Sequence, residues 1–208
     1  MRQRSAKDVA VVTHSQGGME ARWAIRWWPS ARSHVADLLM LASPNHGIVT
    51  ADLCAASGNC WPAVWQMASG SRFLRALDAV EDPSGVAITN IYSLTDELVE
   101  PASTVALSGP NVSNAAIQQF CKRVVNHAGL LDDSVAWALV VDALGHPGPA
   151  VPGRVPASVC AQLFAPGLGG AEVLAGNAAL YADAVTKGFA GTLGVRSEPA
   201  LRAYATGG

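Results

Sequence analysis

Apolar and polar positions alternate in blocks along this chain rather than residue by residue. Val9–Val12 is a short β-branched run between Asp8 and a polar turn, which predicts a strand buried on both faces. Met19–Trp28 (MEARWAIRWW) has a broad apolar face and ends at Pro29, which predicts a helix lying against a sheet. Val35–Ala42 (VADLLMLA) and Val86–Ser93 (VAITNIYS) read as further strands. Between them, residues 48–85 read as an irregular helical excursion, with Trp61–Met67 and then Ser71–Val80 ending before Asp82-Pro83. Ala115–Val125 ends in a β-like stretch, Arg123–Val125. Asp132, Asp133 and Ser134 offer an N-cap for a helix to Leu144, stopped by Gly145 and Pro147. The Pro/Gly-rich segment His146–Pro156 reads as a surface connection, and Gly170–Lys187 as a last helix weakened by Gly176 and Asn177. Strands alternating with helices predict an α/β fold around a mostly parallel sheet.

Composition narrows this picture. With 208 residues the chain holds one sizeable core, and a single domain over 1–208 is expected. Half of the residues are hydrophobic and 14% are charged, which argues for a packed domain and against disorder. A net charge of −2 gives no electrostatic case for nucleic acid or an anionic membrane. No apolar run reaches the ~20 residues of a transmembrane anchor. The first residues, Met1 to Asp8, contain no apolar core of a signal peptide. The cysteines Cys54, Cys60, Cys121 and Cys160 allow three pairings into two disulfides. Cys54 and Cys60 bracket a turn-rich AASGN loop that could close on itself. Disulfides would place the protein in an oxidising compartment, whereas reduced thiols would suit the cytosol. No cysteine or histidine spacing suggests a metal site, and no cofactor is implied.

The chemistry concentrates at strand ends. Thr13-His14-Ser15-Gln16-Gly17 follows the first strand and precedes a helix, with small residues two before and two after the serine. A small-x-Ser-x-Gly turn in that place has the form of the nucleophile elbow of α/β-hydrolases. The plainer alternative is a serine N-cap. A serine needs a base to take its proton, and the base needs an orienting partner. Asp96 follows the Val86–Ser93 strand and His127 follows Arg123–Val125, so each of three strand ends supplies one member. The chain order Ser15, Asp96, His127 is that of the α/β-hydrolases. Glu97 could replace Asp96. His14 reads as a pocket wall, His46 as a turn residue, and His34 and His146 as surface residues.

The segments THSQGG, LASPNHG, AVWQMASGS, NIYSLTDELVEP, NHAGLL and SEPALRAYA run in the order of their counterparts in the Candida antarctica lipase B-like family of α/β-hydrolase lipases. The resemblance covers about Asp8 to Tyr204, more loosely over 142–195, and its TxSxG elbow and SLTDELVEP stretch are specific. It implies Ser15 as nucleophile, Asp96 as the acid, His127 as the base and the Gln16 N–H as an oxyanion donor. It also implies pairing of Cys121 with Cys160. The Cys54–Cys60 bridge has no counterpart there and rests on proximity, while the family's C-terminal disulfide is absent. His14, Asn45, Met67 and Leu98 are the implied substrate-pocket residues. His14 stands where the family has a Trp, and Met67 where it has a Gln, so substrate preference does not transfer. The chain starts just before the nucleophile strand, so the family's earlier strands and the Thr-bearing half of the oxyanion hole are expected to be missing.

The expectation is therefore a lipase or carboxylesterase acting on acylglycerol-like or other apolar esters, at a lipid–water interface, through an acyl-enzyme. A monomer is expected, secreted in its full-length form. Two alternatives stand beside it: a truncated hydrolase impaired by an incomplete oxyanion hole, and a polyester hydrolase or acyltransferase using the same triad.

Overall fold

The computed structural model describes residues 9–83, 85–183 and 194–206. Four parallel strands form one sheet in the order β1 (Val9–His14), β2 (Val35–Leu41), β3 (Ala87–Tyr92) and β4 (Val112–Ala116). Between β1 and β2 lie α1 (Gln16–Trp27) and the short α2 (Pro29–Arg32). The excursion after β2 resolves into α3 (Val49–Ala56), α4 (Pro62–Met67) and α5 (Arg72–Asp78). Then α6 (Ser134–Gly145) and α7 (Gly170–Asp183) follow the sheet. The end of the expected last helix, beyond Asp183, lies outside the described residues.

The continuous apolar run of β2 explains the layering. Successive side chains of a strand point to opposite faces. Leu38 and Met40 pack with Ile25 of α1, Val86 and Ile88 on one side of the sheet. Leu39 and Leu41 pack with Ile91 and with Val135, Ala136 and Leu139 of α6 on the other. Both faces of β2 and β3 are thus covered by helix or loop, as parallel strands require. Asp133 caps α6 through Oδ1, which accepts from the N–H groups of Val135 (2.7 Å) and Ala136 (3.1 Å). Two disulfides are formed, Cys54–Cys60 and Cys121–Cys160. Near the C-terminus, Glu198 accepts from the N–H groups of Arg72 and Phe73, both 2.9 Å, at the start of α5.

Two expectations need correction. The first strand is not buried: among the described residues β1 pairs with β2 alone, leaving Val9 57% and Val12 52% exposed. Among the described residues the last strand is β4 at 112–116, whereas Arg123–Val125 forms no ladder. β4 (VSNAA) lacks an apolar run because its centre is polar. Asn114 Oδ1 accepts from Asn90 of β3 at 3.0 Å, and its Nδ2 donates to the Leu107 carbonyl at 2.8 Å. Asn90 in turn receives from buried Asn45 (3.4 Å), whose Oδ1 accepts from buried Arg22 (3.2 Å). An amide seam thus runs through the middle of β4 and β3 to the loop after β2 with its polar atoms paired, as buried amides must be.

Candidate active site

Ser15 occupies the single residue between β1 and α1, with φ 56° and ψ −135°. Such a backbone is sparsely populated by side-chain-bearing residues and costs of order 1–3 kcal/mol. The surrounding bonds hold it. The Ser15 N–H donates to the Leu41 carbonyl at 2.8 Å, and its carbonyl accepts from the Gly18 N–H at 3.1 Å. This sharp turn is an elbow rather than a cap, because the serine side chain makes no capping bond. The need for glycine falls one residue later than the motif suggests. A Cβ at Gly17 would sit 3.7 Å from Thr13 Cβ, an ordinary contact. A Cβ at Gly18 would lie 2.5 Å from Ser43 Oγ and 2.8 Å from Ser43 Cβ, so only glycine lets α1 approach β2 this closely. Gln16 opens α1, and N–H groups of a helix's first turn lack intrahelical partners.

Asp96 and His127 meet just beyond the end of β3. The His127 Nδ1 lies 2.9 Å from Asp96 Oδ2 and 3.2 Å from Oδ1, with both side chains buried. Asp96 Oδ1 also accepts the N–H groups of Leu98 and Val99, each at 2.9 Å. Burial pushes the Asp96 carboxyl up. The His127 hydrogen bond and the two backbone donors outweigh this and hold it below the usual carboxylate value. Among the described residues the His127 Nε2 has no hydrogen-bond partner, the Ser15 hydroxyl included, so the structure joins His127 to Asp96 but not to Ser15 by a hydrogen bond.

His127 sits on a loop, not at a strand end, and side chains of the SLTDE segment fix that loop. Ser93 Oγ and Thr95 Oγ1 donate to the Val125 carbonyl at 2.6 and 3.1 Å, and the Val125 N–H donates to Thr95 Oγ1 at 2.9 Å. The Cys121–Cys160 bridge and the Arg123–Asp133 ion pair (2.6 Å) anchor the loop's start. Ser93 and Thr95 escaped the sequence reading, since nothing in a lone hydroxyl announces a partner thirty residues away. Glu97 does not take the place of Asp96: its Oε2 accepts the backbone N–H of His127 at 2.9 Å.

The expected pocket residues scatter. His14, expected as a pocket wall, packs against His127. Its ring centroid lies 4.6 Å from that of His127, and its Nε2 bonds the His127 carbonyl at 3.0 Å. Burial lowers its pKa, against the raising effect of that hydrogen bond. Asn45 is fully buried within the amide seam and is therefore inaccessible to a substrate. Met67 is half-buried, packed against Phe73, Leu74 and Leu77. Leu98 is exposed beside the acid. His46, Asp78 and Glu81 place their donor atoms within 4.8 Å of one another. They are engaged in ion pairs, His46 with Glu81 (2.7 Å) and Asp78 with Arg22 (2.9 Å).

Comparison with known proteins bears on this arrangement. The family described as lipase (class 2) matches residues 3–136. Lipase B of Pseudozyma antarctica is 35% identical over 144 residues, covering 64% of this chain and 41% of that protein. The crystal structure of Aspergillus fumigatus lipase B superposes with a TM-score of 0.87 at 35% identity, over 95% of this chain and 51% of that one. The chain thus spans about half or less of the length of these relatives.

Proposed function

The chain belongs to the class 2 lipase family, and from that premise we propose that it is a serine carboxylic-ester hydrolase of the lipase type, acting through Ser15, His127 and Asp96. The observation that carries the reading is the His127–Asp96 pair at 2.9 Å, joined through His14 (rings 4.6 Å apart) to the strand–helix turn where the next residue, Ser15, has positive φ. Asp96 accepts from Nδ1 and so fixes the tautomer in which Nε2 carries the free lone pair a base needs. His127 takes the hydroxyl proton as Ser15 Oγ attacks the ester carbonyl, and Asp96 stabilises the imidazolium that forms. The Gln16 N–H, at the positive end of α1, faces the developing oxyanion. The tetrahedral intermediate collapses as His127 protonates the departing alcohol, leaving an acyl group on Ser15. Water repeats the sequence and releases the acid.

Apolar esters suit the surroundings. Leu98, Leu131, Leu174 and Leu180 are exposed on the segments that flank the base and on α7 beside them. Among the described residues no helix is long and apolar enough to cross a membrane. Two disulfides suit secretion. The test is hydrolysis of a short p-nitrophenyl ester by the full chain and by Ser15→Ala. Loss of turnover with the variant still folded is expected, and equal rates from the two proteins refute the assignment.

A further inference from the structure

Three polar groups of His127 meet three side chains from two other parts of the chain. Its ring Nδ1 meets Asp96, its backbone N–H meets Glu97 Oε2 at 2.9 Å, and its backbone carbonyl meets His14 Nε2 at 3.0 Å. A carbonyl only accepts, so the bond requires a proton on His14 Nε2. The Glu97 carboxylate is aimed in turn by α7, because Tyr181 donates its hydroxyl to Oε1. We infer that His14 and Glu97 are positioning residues that clamp the two peptide groups flanking the His127 Cα, so that the nucleophile strand and the acid loop together fix where the base stands.

The reasoning follows from what Asp96 leaves undetermined. One ring nitrogen bonded to a carboxylate sets the tautomer and the plane of the imidazole, but the residue's backbone lies on an irregular loop with no ladder to fix it. The loop is held up to the Val125 carbonyl by Ser93 and Thr95, and His127 is the next point at which side chains grip it. Its φ of −53° and ψ of −53° start the 3-10 turn Ala128–Leu131, so rotating either peptide group would swing the ring out of its place. His14 is the residue before Ser15, so the same backbone that presents the nucleophile also grips the base. The groups facing His14 are His127 and Asp96, and Glu97 and Tyr181 face the other end of the clamp. Its buried ring favours the neutral form, which keeps a second positive charge away from a ring that becomes cationic at each transition state.

This inference rests on the proposed triad, so its test needs one readout with activity and one without. His14→Phe keeps a ring but loses the donor, and Glu97→Ala loses the acceptor. His14→Gln and Glu97→Gln keep a hydrogen-bonding group at each position. Misplacement of a reacting group by about 1 Å costs about 10²-fold. We expect kcat to fall about 10–100-fold in His14→Phe and Glu97→Ala, with KM changing less, and the Gln variants to recover most of it. Independently of turnover, proton NMR of the His127 Nδ1–H should show faster exchange in the two disruptive variants than in the wild type. Because Glu97 sits on a loop, Glu97→Ala carries the test should His14→Phe fail to fold. Folded disruptive variants with kcat within twofold of wild type and an unchanged Nδ1–H resonance would overturn the clamp. So would Gln variants as impaired as the disruptive ones. A wild-type protein without Ser15-dependent turnover refutes the triad instead, and the NMR comparison still decides the clamp.

Discussion

Replacing Asp96 with Asn separates geometry from charge at this site. Asp96 Oδ1 accepts two backbone N–H groups, from Leu98 and Val99, each at 2.9 Å. An amide oxygen can keep both bonds, whereas an amide nitrogen there would face two donors. The Asn side chain is therefore oriented with its oxygen at Oδ1 and its NH2 at the Oδ2 position, 2.9 Å from His127 Nδ1. That NH2 needs an acceptor, so Nδ1 must shed its proton and Nε2 must carry one. A protonated Nε2 cannot accept the Ser15 hydroxyl proton. The side chain keeps its volume and two of its hydrogen bonds, so folding is preserved while the base holds the wrong tautomer. Loss of the acid's charge in this way costs on the order of 10⁴-fold in kcat, equivalent to about 5 kcal/mol of transition-state stabilisation. The assay is steady-state hydrolysis of a p-nitrophenyl ester by wild type and Asp96→Asn, at matched active-site concentration and with near-UV circular dichroism as the fold control. A folded variant within tenfold of wild type refutes the tautomer argument, and a comparable collapse in Glu97→Gln alone would transfer the acid's role to Glu97.

Gly18→Ala should destabilise by about 1–3 kcal/mol, because its Cβ would overlap Ser43; Gly17→Ala, with a 3.7 Å contact, should stay within about 1 kcal/mol of wild type, and urea midpoints compare them. Replacing Cys121 and Cys160 with Ser opens a 39-residue separation and should cost about 3–4 kcal/mol, against about 2 kcal/mol for the 6-residue Cys54–Cys60 loop, read from thermal or urea unfolding. The depressed Asp96 pKa adds stability that is fully present above its unfolded value of about 3.9 and is lost as pH falls through the lower folded value. The stability gap between wild type and Asp96→Asn should therefore narrow in urea titrations taken below that pH, and an equal gap at pH 7 and in acid would contradict it.

The layers were readable where one local signal sufficed. The LLML run of β2 needed burial on both faces, and Asp133 stood ready to cap α6. The serine turn was readable for the same reason, since its strain leaves marks in neighbouring residues, and Asp96 does follow β3, whereas His127 was placed after a strand that does not form. What escaped depended on distant partners. β4 hid because Asn114 is acceptable in a strand only once Asn90 and the Leu107 backbone answer its amide. Arg123–Val125 looked like a strand, yet its residues spend their bonds on Asp133, Ser93 and Thr95, and Val124 faces water. Asn45 was implied as a pocket residue by the family resemblance, but Arg22 and Asn90 draw it into the interior. Apolar β1 looked central because pattern reports the chemistry of side chains, not the number of neighbouring strands.

The amide seam has a consequence for how the sheet assembles. Parallel strands of similar aliphatic side chains can slide past one another at little cost in buried apolar area. Here Asn90 and Asn114 are direct partners across β3 and β4, and a shift by one residue would send them to opposite faces. Each amide would then be left unpaired in a dry interior, at about 1–3 kcal/mol per orphaned group. The seam thus works as a key that only one alignment turns, and its value lies in the mispaired sheets it penalises more than in the strength of the correct one.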